Sequence, residues 1–139
     1  MKVVNTLRRI EGESEEHYRA RQIIFNFLIK SFSNHNLQLW TEYPPEGRRR
    51  GDLVVDYFKP PFYRVKKWIE VQETPLPLDV WKKRIYDIIN SYNPEELWIV
   101  LTQSSRKEIK KLKKVQQLLG FNFIILIVDT STGKILFNV

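Results

Sequence analysis

Apolar residues recur along this chain with two different periods, and the change between them predicts the secondary structure. From Ser14, and again from Val80 and Ile109, they fall three and four residues apart, which is helical spacing. Between these stretches lie short runs of β-branched and aromatic residues, which favour strands. The longest apolar run, FNFIILIV at 121–128, has the length of a buried strand.

The predicted order is one helix, three strands, a helix, a strand, a helix, a strand and a final strand that closes a hairpin. The predicted strands read, in order, LQLWTEY, DLVVDYF, YRVKKWIEVQ, ELWIVLT, FNFIILIVD and KILFNV. Ser14 is predicted to cap the first helix, residues 105–108 to form a capping box for the third, and Gly120 to end it. A strand meander followed by strand–helix–strand units predicts an α/β fold with a mixed sheet flanked by helices.

The length and composition set limits on the class of protein. A chain of 139 residues and 16.7 kDa predicts one domain, residues 1–139. No apolar run approaches the roughly 18–20 residues that span a bilayer, and the N-terminus does not resemble a cleavable signal. With no cysteine there is neither a disulfide framework nor a thiolate metal site. We therefore expect a cytoplasmic protein with no membrane partner.

The charge is positive and clustered. The chain has 23 basic and 16 acidic residues, a net charge of +7, and the excess lies in GRRRG, WKKRIY and SRKEIKKLKKV. Clustered arginine and lysine favour a polyanion such as nucleic acid, while an acidic protein partner and simple solubility remain the alternatives. The predicted nucleic-acid-binding residues are Arg48, Arg49, Arg50, Lys82 and Lys83.

Two acidic residues lie in strands that should be largely buried. Asp52 begins one predicted strand and Glu70 lies near the end of the next, so a hairpin between the two strands makes them neighbours. Side chains alternate along a strand, which puts Gln72 on the same face as Glu70. Two carboxylates this close repel unless a cation lies between them. Their hard oxygen ligands suit Mg²⁺ or Mn²⁺.

Other acids compete for this role, and each of the chosen ones has a structural alternative. Glu16 shares the core-facing side of the first helix, where it either stabilises the helix dipole or points to the metal site. Asp52 after a glycine can simply close a turn. Glu70 can pair with Arg84 or Lys83 on the following helix. Asp56 lies on the same face as Asp52 but farther from the end of the strand that carries Glu70.

An aspartate at the head of an apolar strand, followed by Glu-x-Gln late in the next, resembles the PD-(D/E)XK nuclease superfamily. Within it, the small basic archaeal Holliday junction resolvases and related viral nucleases are the most similar in size and charge. The likeness covers the order of elements from about Ser14 to Val128. It implies a restriction-endonuclease-like core in the order α-β-β-β-α-β, and relatives of this size usually form homodimers.

The resemblance also assigns roles to individual residues. It implies that Asp52 and Glu70 are catalytic metal ligands, that the Val71 carbonyl is a further ligand, and that Glu16 matches the helix glutamate of some members. Gln72 takes the position of the usual lysine, and an amide brings neither its positive charge nor an exchangeable proton. Some restriction-type members of the superfamily also have Gln at this position, and Lys82 or Lys83 on the following helix could reach inward to supply positive charge.

Two functions follow as expectations. The first is a Mg²⁺- or Mn²⁺-dependent endonuclease that hydrolyses DNA, including branched DNA, with a metal-activated water and with the three arginines holding phosphate. The second is a nucleic-acid-binding or assembly protein on the same fold that has lost catalysis together with the lysine.

Overall fold

The seven strands found in the described part of the chain form one mixed sheet whose spatial order follows the sequence. The computed structural model describes residues 1–32, 36–41, 52–57 and 65–137. The strands are β1 Lys2–Val4, β2 Leu37–Trp40, β3 Leu53–Tyr57, β4 Val65–Gln72, β5 Glu96–Thr102, β6 Ile124–Val128 and β7 Ile135–Phe137. The helices are α1 Glu15–Ser31, α2 Leu78–Tyr92 and α3 Ile109–Leu119, and a 3₁₀ helix, Gln103–Glu108, leads into α3. The predicted α/β class is confirmed.

The pairing follows the connections between the strands. The strands β2, β3 and β4 form an antiparallel meander, and β4, β5 and β6 run parallel because helices α2 and α3 connect them. Strand β7 returns antiparallel to β6. Strand β1, parallel to β2, was not predicted, since three residues carry no periodic pattern and only pairing with β2 makes them a strand.

Helices cover both faces of the sheet, and each face has its own core. On one face α1 packs through Ala20, Ile24 and Leu28. On the other, α2 and α3 pack against Trp68 and Ile99 of the sheet. Because the central strands are buried on both faces, β5 and β6 are almost continuously apolar, as strands between two helix layers require.

The helix ends agree with the sequence at two of three predicted caps. The Ser14 hydroxyl accepts the backbone N–H of His17 at 3.0 Å, and Gly120 ends α3 with a left-handed φ of +63°. The predicted capping box at 105–108 is wrong, because the reciprocal bonds join Thr102 and Ser105 at the start of the 3₁₀ helix. The carboxylate of Glu108 instead accepts the backbone N–H of Leu76 at 2.6 Å.

None of the helices within the described ranges is long and apolar enough to cross a bilayer.

Candidate functional site

One edge of the sheet gathers the polar residues that the sequence singles out. The parallel strands β4 and β5 end there, and β3, which is antiparallel to β4, begins there. The first turn of α1 reaches the same edge, since His17 contacts Val71 of β4 and Glu16 contacts Thr102 of β5. We call this the carboxyl edge. The carboxyl ends of strands are where open α/β sheets place ligands.

The predicted nearness of Asp52 and Glu70 has a counterpart in the strand register. Leu53 pairs with Ile69 in the antiparallel β3–β4 ladder, so Asp52, one residue earlier, lies across from Glu70. Asp52 Oδ2 accepts the backbone N–H of Val71 at 2.7 Å. The aspartate therefore extends the ladder with its side chain while it remains partly exposed.

Glu70 is buried, with 5% of its surface exposed, and a hydrogen bond from a tryptophan helps to stabilise its carboxylate away from water. Its Oε1 accepts the indole N–H of Trp68, two residues earlier on the same face, at 2.8 Å. The chain's other tryptophans also donate their indole N–H to carboxylates. These pairs are Trp40–Asp56, Trp81–Glu108 and Trp98–Glu96. Indole donors thus help to satisfy acidic side chains that are wholly or partly removed from water, as buried polar groups require.

Both polar atoms of the Gln72 side-chain amide are hydrogen-bonded. Its nitrogen donates to the carbonyl and hydroxyl oxygens of Thr74, at 2.9 and 2.8 Å, and its oxygen accepts a hydrogen bond from Arg84 Nη1 at 2.8 Å. The guanidinium of Arg84 therefore carries positive charge to the place where the family resemblance expects a lysine. Lys82 and Lys83, the cations predicted for this area, are exposed on α2.

His17 is the central cation of the carboxyl edge, although no pattern in the sequence singles it out. Its Nδ1 lies 2.5 Å from Glu13 Oε2, and its Nε2 lies 3.0 Å from the Val71 carbonyl and 3.6 Å from Asp52 Oδ1. A carbonyl only accepts hydrogen bonds, and an ionised carboxylate does the same. Both ring nitrogens therefore carry protons, and the ring is an imidazolium.

The electrostatics of this cluster keep His17 charged. Burial by itself disfavours the charged ring, but the nearby carboxylates of Asp52 and Glu13 outweigh it and raise the pKa of His17 to about 9. Burial likewise opposes ionisation of Glu13, yet hydrogen bonds from Ile10, His17 and Arg21 hold the pKa of Glu13 below its ordinary value. Arg21, fully buried, donates to both Glu13 oxygens at 2.9 and 3.0 Å.

Glu16 lies farther along the same edge, at the end of β5. Its two carboxylate oxygens accept hydrogen bonds from the hydroxyls of Thr102, at 3.0 Å, and Ser104, at 2.7 Å. The glutamate that contacts the Asp52 cluster through His17 is Glu13, which lies two residues before α1. The predicted catalytic role of Glu16 stays a prediction.

Asp56, the competing candidate on β3, is completely buried in a different setting. Its Oδ2 accepts the indole N–H of Trp40 at 3.0 Å, whereas its Oδ1 and the facing Gln38 Oε1 have no hydrogen-bond partner within the described residues. Burial raises the pKa of Asp56 to about 6, although the bond from Trp40 opposes this. Asp56 therefore differs from Asp52 in its environment, which is fully buried, and it lies farther along β3 from the carboxyl edge.

The oxygen atoms at this edge are of the kind that binds a divalent ion, but in this structure they are arranged around His17. Asp52 Oδ1 and the Val71 carbonyl are hard oxygen donors, and both face one positive centre, His17 Nε2. The positive charge next to these two oxygens is therefore the His17 imidazolium. Over the ranges that the structure describes, no three histidine, aspartate or glutamate side chains form a cluster able to hold a metal. The predicted phosphate-holding residues Arg48, Arg49 and Arg50 lie outside those ranges.

Sequence reasoning missed His17 and Glu13, and it named Arg84 only as a possible partner of Glu70 and not of Gln72. Arg84 did leave a usable signal. It lies three residues after buried Trp81 and one before buried Ile85, so the helical period turns it toward the sheet. His17 lies in the first turn of α1 and contacts Val71 across 54 residues of sequence, and Glu13, just before the helix, reaches this cluster through His17. No local pattern encodes such a contact.

Comparison with protein-family models, with curated proteins and with solved structures gives no significant match for this chain. The resemblance to the PD-(D/E)XK superfamily therefore remains a prediction that rests on the short motif and on the order of elements.

Proposed function

We propose that this chain is a metal-dependent endonuclease that hydrolyses DNA phosphodiester bonds on a restriction-endonuclease-like variant of the α/β fold. The observation that carries the proposal is the β3–β4 register, which sets Asp52 across from Glu70 at the carboxyl edge. The net charge of +7 supports a polyanionic substrate. A homodimer with one site for each DNA strand is part of the same proposal.

Each residue of the carboxyl edge has a separate role in the proposed reaction. Asp52, Glu70 and the Val71 carbonyl would hold Mg²⁺ or Mn²⁺, which when bound acidifies water and neutralises phosphate charge. His17 competes for the Asp52 and Val71 oxygens, because its Nε2–H already points to them. Arg84, bonded to the Gln72 amide, supplies the positive charge that the amide lacks.

The test is a cleavage assay on duplex, single-stranded and four-way DNA with Mg²⁺, with Mn²⁺ and with chelator. We expect Asp52→Asn and Glu70→Gln to reduce cleavage at least about 100-fold, since even the outer partners of a metal cost 10- to 100-fold when removed. DNA binding should survive in both variants. The matched control is Asp79→Asn, which removes an exposed carboxylate of α2 and should cut like the wild type.

Cleavage by both variants at the wild-type rate would show that Asp52 and Glu70 are not the site. Circular dichroism of each variant separates loss of catalysis from loss of folding.

A second candidate function is DNA binding without catalysis. The specific observation in its favour is that His17 occupies the cation position between Asp52 and Val71, while Gln72 is held by Thr74 and Arg84. It predicts DNA binding with no cleavage under any metal condition. Gln72→Lys is the informative variant, because a gain of cleavage would show that the edge lacks only the lysine.

A further inference from the structure

The exposed side of the 3₁₀ helix and α3 carries an uninterrupted group of cations. We call it the basic face, and it consists of Arg106, Lys107, Lys110, Lys113 and Lys114. All five are exposed, and within the described residues none of them makes an ion pair. The one acidic residue of this segment, Glu108, is buried and accepts hydrogen bonds from Leu76 and Trp81. The basic face therefore has no counter-charge from its own segment.

This arrangement makes the helix less stable than the same helix with mixed charges. Lys110 has cationic neighbours one turn away in both directions, Lys107 and Arg106 before it and Lys113 and Lys114 after it. Like charges three or four residues apart destabilise a helix. Cations in the first turn also oppose the helix dipole, and α3 has no acid there. A surface that served solubility alone would intersperse both signs.

The basic face begins at the carboxyl edge. Ser105 donates its hydroxyl proton to the carbonyl of Gln72 at 2.6 Å, which fastens the 3₁₀ helix to the end of β4. Lys111 donates to the Leu76 carbonyl at 3.0 Å and pairs with Glu108 Oε2, also at 3.0 Å, which fixes α3 to the segment that follows β4. The cations are thus held in a fixed position relative to Asp52 and Gln72.

A cleft of about 700 Å³ lies beside these cations and is lined by Gln103, Arg106, Lys107, Ile109 and Lys110. Three of its five lining residues are positively charged. From Lys107 to Lys114 the chain advances about 10 Å at 1.5 Å per helical residue. Over that distance duplex DNA presents about six phosphate charges, which is close to the number of cations on the face.

We propose that the basic face is the surface on which this protein binds the phosphate backbone of duplex DNA. This inference rests on the proposed action on DNA and adds where the duplex lies, along α3 and toward the carboxyl edge. The contacts expected on this face are with phosphates, because clustered lysine and arginine side chains neutralise the charge of the DNA backbone.

The test compares two double variants that lose the same charge. Lys110→Gln with Lys114→Gln removes two cations from the basic face, and Lys30→Gln with Lys134→Gln removes two exposed lysines from α1 and the β6–β7 turn. Binding to a duplex of about 20 base pairs is measured with chelator present over about 50–200 mM salt. If all five cations contact phosphate, the slope of log affinity against log salt is about −4.5 for the wild type and about −2.7 for the α3 variant.

We expect the α3 variant to bind roughly 10- to 100-fold more weakly than the wild type, and the Lys30 and Lys134 variant to keep the wild-type slope. The α3 variant should also melt at the same or a higher temperature, because like-charge repulsion is relieved. Equal losses in both variants would overturn the proposal, since net charge alone would then explain binding. Wild-type binding to polyglutamate but not to duplex DNA would overturn it as well.

Failure of this proposal and failure of the proposed endonuclease give different results. DNA binding through the basic face without metal-dependent cleavage contradicts the endonuclease alone. Cleavage that depends on Asp52 and Glu70 but is unaffected by the α3 variant contradicts the basic face alone.

Discussion

Individual acidic residues in this sheet differ in the partners that stabilise them. Glu70 accepts an indole N–H, Asp52 accepts a backbone N–H and lies beside an imidazolium, and Asp56 keeps one buried oxygen without a partner in the described structure. A carboxylate removed from water is tolerated when it is hydrogen-bonded and is costly when it is not. These three residues should therefore respond differently to substitution and to pH.

His17 gives the first prediction. Its pKa is about 9 in the folded protein and 6.5 in an unfolded chain, so its charge stabilises the fold fully below about pH 6.5 and not at all above about pH 9. His17→Gln should lower the free energy of unfolding by about 3 kcal/mol at pH 6, and by much less at pH 9.5. Chemical denaturation at the two pH values checks this.

An NMR titration tests the same cluster directly. His17 should titrate well above 6.5 in the wild type and closer to 6.5 in Asp52→Asn, because one of the two carboxylates that raise its pKa is then gone. A wild-type His17 that titrates near 6.5 would contradict the imidazolium.

Asp56 gives the opposite kind of prediction, a substitution that stabilises. Its pKa is raised from 3.8 to about 6, so the fold loses stability as pH rises through this window and the buried carboxyl ionises. Asp56→Asn keeps an acceptor for Trp40 and should raise the free energy of unfolding by up to about 3 kcal/mol at pH 7. Near pH 3.5, where both side chains are neutral, urea denaturation should find little difference.

At the scale of the element, the start of α1 determines what the carboxyl edge contains. Ser14 caps the helix through His17 N–H and also donates its hydroxyl proton to Glu73 Oε1 at 2.6 Å. The cap therefore fixes both the helix and its position against the segment after β4. The sequence predicted this cap correctly, but the second bond, 59 residues away, depends on the fold.

Ser14→Ala should lower the free energy of unfolding by about 1–2 kcal/mol, because it removes an N-cap and a second hydrogen bond together. Ser14→Thr is the matched control and should keep most of the stability. A shift in the urea midpoint at constant slope is the measurement. Equal midpoints for Ala and Ser would show that the cap contributes nothing.

Across the whole molecule, the central strands of the sheet are long and buried, whereas the strands at its two edges are short and exposed. Strands β4, β5 and β6 have helices or neighbouring strands on every side, and β4 and β5 are its longest described strands. Strands β1 and β7 are three residues long and largely exposed, and each pairs with one of the described strands. Local opening should therefore be confined to the edges.

Native-state hydrogen exchange should show this gradient. Amides of β4, β5 and β6 should exchange only through global unfolding, while those of β1 and β7 exchange faster by local opening. Protection of β7 equal to that of β5 would indicate that another surface covers this edge, as in a dimer that pairs through it.

Local patterns in the sequence were enough to predict the class of fold and most of its elements. Periods of 3.6 and of two residues follow from local backbone geometry, so the three helices and six of the seven described strands were predicted near their observed places. The sequence also predicted that Asp52 and Glu70 are neighbours, because a hairpin between consecutive strands places the start of one strand beside the end of the next. The capping box at 105–108 failed because tertiary contacts direct Glu108 to Leu76 and Trp81.

Tertiary packing, and not any local pattern, determines which charges meet at the carboxyl edge. His17 reaches Val71 and Asp52 because α1 packs its apolar side on the sheet, and this docking fixes the first turn against residues far away in sequence. Arg84 reaches Gln72 in the same way, through the packing of α2. Periodicity tells which side of a helix is buried. It does not tell which polar group the ends of that helix will contact, since this depends on where the whole helix comes to rest.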